Sequence, residues 1–483
     1  MSGWRLEHSY TTLPPMFYAR VTPTPVREPV FVVFNTALAE TLGLDVRALD
    51  TPAGAEIFAG NQLPEGADPI AQAYAGHQFG HFTPLGDGRA ILLGEQITPD
   101  GRRVDIQLKG PGRTPYSRRG DGRAAVGPML RELVISEAMH ALGIPTTRSL
   151  AVVSTGEPVF REDVLRGAVL TRVAGSHIRV GTFQWAAAHQ DVAALRALAD
   201  YTIARHYPDV AGAPNPYVAF FDAVADRQAS LIAQWQSVGF IHGVMNTDNM
   251  ALSGETIDYG PCAFMDEYHP ATVFSSIDAH GRYAYGNQPP IAQWNLTRLA
   301  EALLPLFDED REKAIAIATT AVERFVDRFE HHWLGRMRAK LGLFTAAAED
   351  DQLIEALLDW MQTTRADFTN TFVALATVGG AERLAHEQDA FRAWFERWRT
   401  RLGRQTQSPR EATDLMRASS PAVIARNHAV EAVLTAAAGQ GDLDPLNELL
   451  DGLRDPYDHD RIRPGTLTPP THQDPAYRTF CGT

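Results

Sequence analysis

The sequence predicts an α+β fold in which a small strand-rich part precedes a larger helical part. Three observations carry that prediction. Between residues 85 and 174 apolar residues alternate in short runs broken by Gly and Pro, as in "GRAILLGEQIT", "RRVDIQLKG" and "GAVLTRV". Beyond residue 183 they recur at intervals of three and four, as in "QDVAALRALADYTIARHY" and "YVAFFDAVADRQASLIAQWQSVG". One helical pattern, "GPMLRELVISEAMHALGIP", separates the first pair of strands from the second.

The elements follow in order. Residues 1–70 are punctuated by Pro, carry one helical pattern at "NTALAETLGLD", and read as an N-terminal extension packed on what comes next. "GRAILLGEQIT" and "RRVDIQLKG" flank Pro99-Asp100-Gly101, a hairpin turn. In the second strand Val104, Ile106 and Leu108 alternate with Asp105, Gln107 and Lys109, so Lys109 points away from the aliphatic face. Pro128 opens the next helix and Gly143 closes it, with Leu130, Leu133, Val134 and Ala138 along one stripe. "SLAVV" and "GAVLTRV" form a second strand pair around a turn expected at "STGEP". The long helix ending at "WQSVG" feeds directly into "FIHGVMNTDN", and helices resume at "PPIAQWNLTRLAEALLPLF" and run through "DQLIEALLDWM". The polar, Pro-rich end from "LRDPYDHD" onward is expected to be extended chain. The expected divisions are 1–70, 71–180, 181–330 and 331–483.

Composition narrows the function. With 483 residues, 45% hydrophobic and 21% charged, the chain is ordinary globular material with room for two or three domains. No apolar run approaches the ~18 residues of a membrane span, and "MSGWRLEHSYTTLPP" has neither the charged head nor the apolar middle of a signal peptide. The expectation is a cytoplasmic protein that touches no membrane, with a monomer as the default assembly. Two cysteines, Cys262 and Cys481, make no disulfide framework and no Cys-x-x-Cys metal pair. A net charge of −14 argues against a nucleic-acid partner. From Lys109 to Arg131, however, six basic residues (Lys109, Arg113, Arg118, Arg119, Arg123, Arg131) face one acid, Asp121, with five glycines among them. Such a local positive patch suits a small polyphosphate.

The stretch "GFIHGVMNTDNMALSGETIDYG" carries the chemistry. His242 to Asn249 keeps the spacing of the protein-kinase catalytic loop, and Asp258-Tyr259-Gly260 stands where Asp-Phe-Gly follows in kinases. The place of the kinase base is held by Val244, and the loop's carboxylate is Asp248. Together with two strands, a helix and two more strands upstream, this points to a protein-kinase-like bilobal fold. Asn249 and Asp258 offer the hard oxygens magnesium prefers, although each residue alone serves turns equally well. Lys109 needs a counter-charge if buried; Glu132 on the following helix is the natural partner and Glu137 the spare. Gly86 and Gly88 in "LGDGRA", and the glycines of "KGPGRTPYSRRGDGRAAVGP", would let backbone approach phosphate. Arg172 and Arg179 in "LTRVAGSHIRVGTF" could add phosphate contacts or simply lie on the surface.

Other chemistries lack their motifs. There is no Gly-x-Ser-x-Gly elbow, Gly-Lys-Ser/Thr phosphate loop or His-Glu-x-x-His helix. His77 and His81 are four apart, but Gly76 and Gly80 speak against a helical metal pair. His331 and His332 are neighbours and so occupy different helix faces.

The blocks "AGHQFGHFTPLGDGRAILLGE", "DIQLKGPGRTPYSRRGDGRAAVGPMLRE", "LTRVAGSHIRVGTF", "HGVMNTDNMALSGETIDYGPCAFMD" and "GRYAYGNQPPIAQWNLTRLAEALLPL", with "HSYTTLPPMFYARVTPTPV" near the start, resemble the SelO family, also called YdiU. The resemblance runs essentially end to end. It implies a kinase-fold protein nucleotidyltransferase, a pseudokinase that binds ATP reversed, presents the α-phosphate, and moves AMP onto Ser, Thr or Tyr hydroxyls of proteins. Transfer of UMP from UTP is also attributed to bacterial members. By motif, Asp248 matches the family's proton acceptor, and Asn249 and Asp258 its Mg2+ or Mn2+ ligands, Asp258 also touching nucleotide. Gly86, Gly88, Arg89, Lys109, Asp121, Gly122, Arg172 and Arg179 match its nucleotide contacts, Glu132 the lysine's partner, and Cys481 a redox position. Two other readings remain: a phosphotransferase, and a nucleotide-binding scaffold without catalysis.

Overall fold

The computed structural model describes residues 2–461, 468–470 and 479. Cys481 lies outside them. The chain builds an antiparallel sheet followed by a long series of helices. The order across the sheet is Tyr18–Arg20, Ile70–Gln72, Ala90–Ile97, Arg103–Lys109, Val164–Ala174, Arg148–Phe160 and Val30–Phe34. Both edge strands therefore come from residues before 70, so the N-terminal segment is woven into the sheet as well as packed on it. Its helical pattern gives Thr36–Thr41, capped by Asn35, whose side chain accepts from Leu38 N at 3.1 Å.

The predicted hairpin pairs Ala90–Ile97 with Arg103–Lys109, Ile97 opposite Arg103, and Gly101 closes the turn at φ 82°. The helix Val126–Ala141 starts two residues before Pro128, and Gly143 follows it in the left-handed region at φ 72°. The second strand pair corrects one expectation. Arg148–Phe160 and Val164–Ala174 turn at residues 161–163, whereas "STGEP" is an irregularity within the first of these strands, between the Ser154 and Pro158 pairings. Gly156, at φ 67°, takes up the extra length, and a Cβ there would stand 2.6 Å from Glu28 Cβ.

Two cores sandwich the sheet. On one side Ile106, Leu108, Ile91 and Val169 meet Leu38 and Phe58 of the N-terminal helices. On the other, Leu130 and Leu133 join Phe183, Phe220 and Leu296 of the helical region. Asn215 caps the helix Pro216–Ser237, which runs to the loop at residue 242, and Arg311–Lys340 packs beside it. A third core, rich in Trp360, Phe391, Trp394 and Trp398, closes the C-terminal helices. No described helix is long and apolar enough to cross a membrane.

Candidate active site

The strand Arg103–Lys109 places its polar residues on the side that meets the helices, and these are buried as deeply as its aliphatic ones: Asp105 and Gln107 are 0% exposed and Lys109 7%. Lys109 Nζ donates to Glu132 Oε2 at 2.6 Å and to Asp258 Oδ1 at 3.1 Å. Arg172, on the neighbouring strand, donates from Nε to Glu132 Oε1 and from Nη2 to Asp258 Oδ1, both at 2.7 Å. Arg179 Nη1 bridges Asp258 Oδ2 at 2.6 Å and the Asp248 carbonyl at 2.7 Å. Three cations thus converge on two carboxylates. Glu137, the spare partner, turns instead to Arg148 and Asn35.

Burial alone would raise Asp258, but Arg172, Lys109 and Arg179 hold it well below the usual carboxylate range. Burial, then Arg172 beside it, pulls Lys109 down. Asp258 sits at φ 61°, a left-handed conformation uncommon outside Gly, and its ion pairs hold it there. His242 is buried, and its Nε2 lies 2.8 Å from the Ile257 carbonyl, tying the loop at 242–249 to that at 257–260. The Asn249 amide nitrogen donates to the Val244 carbonyl at 2.9 Å, which leaves its side-chain oxygen as the atom a cation would take. Val244 itself is buried.

Asp248 is the least satisfied of the acids. Burial pushes it up to about 6, and its Oδ1 is buried with no hydrogen-bond partner. The second glycine loop folds onto the first. Thr114 Oγ1 donates to the Asp87 carbonyl at 2.6 Å, Ser117 Oγ donates to Gly88 O, and a Cβ on Gly86 would stand 2.5 Å from the Tyr116 ring. Arg89 lies near enough to Lys109 to lower it further, and its carbonyl accepts from Gly110 N at 2.8 Å.

The basic stretch from Lys109 to Arg131 does not form the single positive patch its composition suggests. Arg123 donates to the Thr24 and Pro25 carbonyls, Arg131 pairs with Glu431, and Arg113 Nε binds the Gly120 carbonyl. Asp121 pairs with Arg161 at 2.9 Å, while Gly122 at φ 70° closes the loop against Gly112, where a Cβ would meet Gly112 O at 2.0 Å. The structure thus gathers Lys109, Glu132, Arg172, Arg179, Asp248 and Asp258, and gives Asp121 and Gly122 loop contacts.

Some residues here escaped the sequence reading. Asp87, pushed by burial to about 6, accepts from Gln72 N at 3.1 Å and Gln107 Nε2 at 3.2 Å. Tyr74 lies under the Arg179 guanidinium at 4.7 Å. The hairpin of Ala75–Gln78 and His81–Pro84 covers the loop at 246–248. An isolated Asp-Gly or Tyr in a loop carries no periodic signal, so only the fold exposes these roles. Among the described residues no group of three His, Cys, Asp or Glu side chains gathers as a metal cage.

Comparison with known proteins agrees with the resemblance. A family model described as "Protein adenylyltransferase SelO" matches residues 3–454. A protein of Bacillus cytotoxicus named "Protein nucleotidyltransferase YdiU" is 58% identical, covering 100% of this chain and 98% of its own. Proteins of the same name from Halalkalibacterium halodurans and Geobacillus kaustophilus are 60% and 59% identical, covering 100% of this chain and 98% and 100% of theirs. A match of that extent places the chain in the SelO family.

Proposed function

We propose that this protein transfers AMP from ATP, or in the alternative UMP from UTP, onto Ser, Thr or Tyr hydroxyls of other proteins with release of pyrophosphate. The observation that carries this reading is the pairing of a cation cluster, Lys109, Arg172 and Arg179, with a separate buried carboxyl, Asp248, that has an unsatisfied oxygen. The sheet and the helices are read as the small and large lobes of a kinase-like fold, residues 71–180 and 181–330, wrapped by extensions at 1–70 and 331–483.

In this reading the three cations exchange Asp258 for phosphate oxygens when nucleotide enters, and the nucleotide lies reversed so that its α-phosphorus faces Asp248. Arginine forks suit that task because they bind phosphate oxygens in pairs. The incoming hydroxyl donates to Asp248 and loses its proton there as the O–P bond forms and the bond to pyrophosphate breaks. Val244 is then no defect, because the reacting phosphorus has moved away from the ordinary kinase base position. Glu132 keeps Lys109 and Arg172 aimed. Asn249 and Asp258 fit a magnesium or manganese ion as hard oxygen donors, and such an ion would offset the negative charge of the phosphates.

Intact-mass measurement tests the proposal. After incubation with ATP, Mg2+ or Mn2+ and a mixture of candidate proteins, an added AMP is the expected result. An added phosphate would point to a phosphotransferase, and no addition to any protein would point to a scaffold.

A further inference from the structure

The hairpin of Ala75–Gln78 and His81–Pro84 touches the catalytic carboxyl at one end and an unusual arginine at the other. Gly76 lies against Asp248, and a Cβ there would stand 2.3 Å from Oδ1. Further along, His77 N donates to Thr247 Oγ1 at 2.7 Å and Phe79 N to Asn246 Oδ1 at 3.0 Å. Tyr283 Oη donates to the same Asn246 oxygen at 2.6 Å, and its ring lies 5.2 Å from that of Phe79. Hairpin, catalytic loop and the segment around residue 283 therefore form one frame.

At the hairpin turn the Arg282 guanidinium stands 3.9 Å from the position a Gly80 Cβ would take, and 4.8 Å from the centre of the Trp294 ring. Arg298 lies 5.1 Å from the same ring. Arg298 has a carboxylate, Glu301, at 2.7 Å. For Arg282 the described residues provide none, and its Nε is buried without a partner. An aromatic ring attracts a guanidinium but does not neutralise it. The Arg282 backbone N donates to Asp278 Oδ1 at 2.9 Å and its side chain hydrogen-bonds the Tyr283 hydroxyl, but no described carboxylate forms an ion pair with the guanidinium. In a chain with a net charge of −14, that is a retained positive charge at the hairpin turn. Exposed Phe82 of the same hairpin adds an apolar edge.

We propose that Arg282, braced with Arg298 on Trp294, docks an aspartate or glutamate of the protein substrate within about four residues of the hydroxyl that reaches Asp248. The spacing follows from strand geometry: Gly76 to Gly80 spans at most ~13 Å at about 3.3 Å per residue, and an extended substrate covers that distance in the same number of residues. The inference rests on the protein-transfer reading above, and adds a rule for which hydroxyls are chosen. The other ligand of matching chemistry is a nucleotide phosphate, and the test separates the two.

The full chain is incubated with ATP, Mg2+ or Mn2+ and peptides carrying a central Ser, Thr or Tyr with randomised flanks, and the modified peptides are sequenced by mass spectrometry. Expected are enrichment of Asp and Glu within four residues of the acceptor, inversion to Lys and Arg in Arg282→Glu, and retention in Arg282→Lys. In Arg282→Gln, kcat/KM for an acidic peptide falls roughly tenfold through the peptide KM, as for loss of a charge-assisted hydrogen bond, while the KM for ATP holds. No acidic enrichment, the same enrichment in Arg282→Glu, or a rise confined to the KM for ATP overturns the docking role. If neither peptides nor whole proteins gain AMP, the transfer reading itself falls and this inference falls with it.

Discussion

The two faces of the strand Arg103–Lys109 are buried alike and do opposite work. Val104, Ile106 and Leu108 fill a core against the N-terminal helices, and any side chains of similar shape and volume would serve there. Asp105, Gln107 and Lys109 face the helical region and are held by named partners: Arg205 and His177 for Asp105, Asp87 for Gln107, Glu132 and Asp258 for Lys109. Burying charges costs several kcal/mol each unless they are paired, so the polar face is the expensive one. Alternation of polar and apolar residues in a strand therefore does not by itself mean one wet side.

Substitutions on the two faces should separate accordingly. Asp258→Ala should have the largest effect, lowering transfer by more than about 10³-fold, because the cation cluster loses its shared carboxylate and the site one of its two candidate metal ligands. Retained activity in that variant, measured with labelled ATP, would place the reaction elsewhere. Glu132→Gln comes next. It removes one of the two carboxylates that Lys109 and Arg172 share and leaves Asp258 as the other, so transfer should fall about 100-fold, and stability by about 1–3 kcal/mol in urea unfolding. Leu108→Ala on the opposite face should cost about 2–5 kcal/mol of stability while the folded fraction keeps its KM for ATP. A raised KM for ATP in that variant would blur the division between the faces.

The smallest effect concerns pH. Burial pushes Asp248 up to about 6, above its unfolded value, so its ionised form weighs against the native state once the pH rises through that range. Asp248→Asn, measured without nucleotide or metal, should therefore raise stability by about 1–3 kcal/mol at pH 8 and leave it unchanged near pH 4, while abolishing transfer. In the native protein kcat/KM should fall tenfold per pH unit on the acid side, below the pH at which Asp248 takes up a proton with metal and nucleotide bound. A flat profile there would remove Asp248 as proton acceptor.

Much of this organisation was legible in residue order. The hairpin at Gly101, the helix from Val126, the Lys109–Glu132 pair and the grouping of Asp248 with Asp258 all follow patterns of spacing that a sequence displays. The misplaced turn at "STGEP" shows the limit: Gly156 signals a left-handed backbone, which serves a bulge as well as a turn. The destinations of Arg123 and Arg131 were hidden because a basic run does not reveal which carbonyls or carboxylates tertiary contacts will bring to it. The same holds for Asp87, Tyr74 and Arg282, whose roles depend on neighbours tens to hundreds of residues away.

The position of the reacting phosphorus can be read directly by running two parallel reactions, one with ATP labelled at the α-phosphate and one with ATP labelled at the γ-phosphate. With the nucleotide reversed in the Lys109–Arg172–Arg179 cluster, the α label stays on the protein substrate through denaturing wash, and the γ label leaves with pyrophosphate. A protein that carries the γ label and no α label would contradict this.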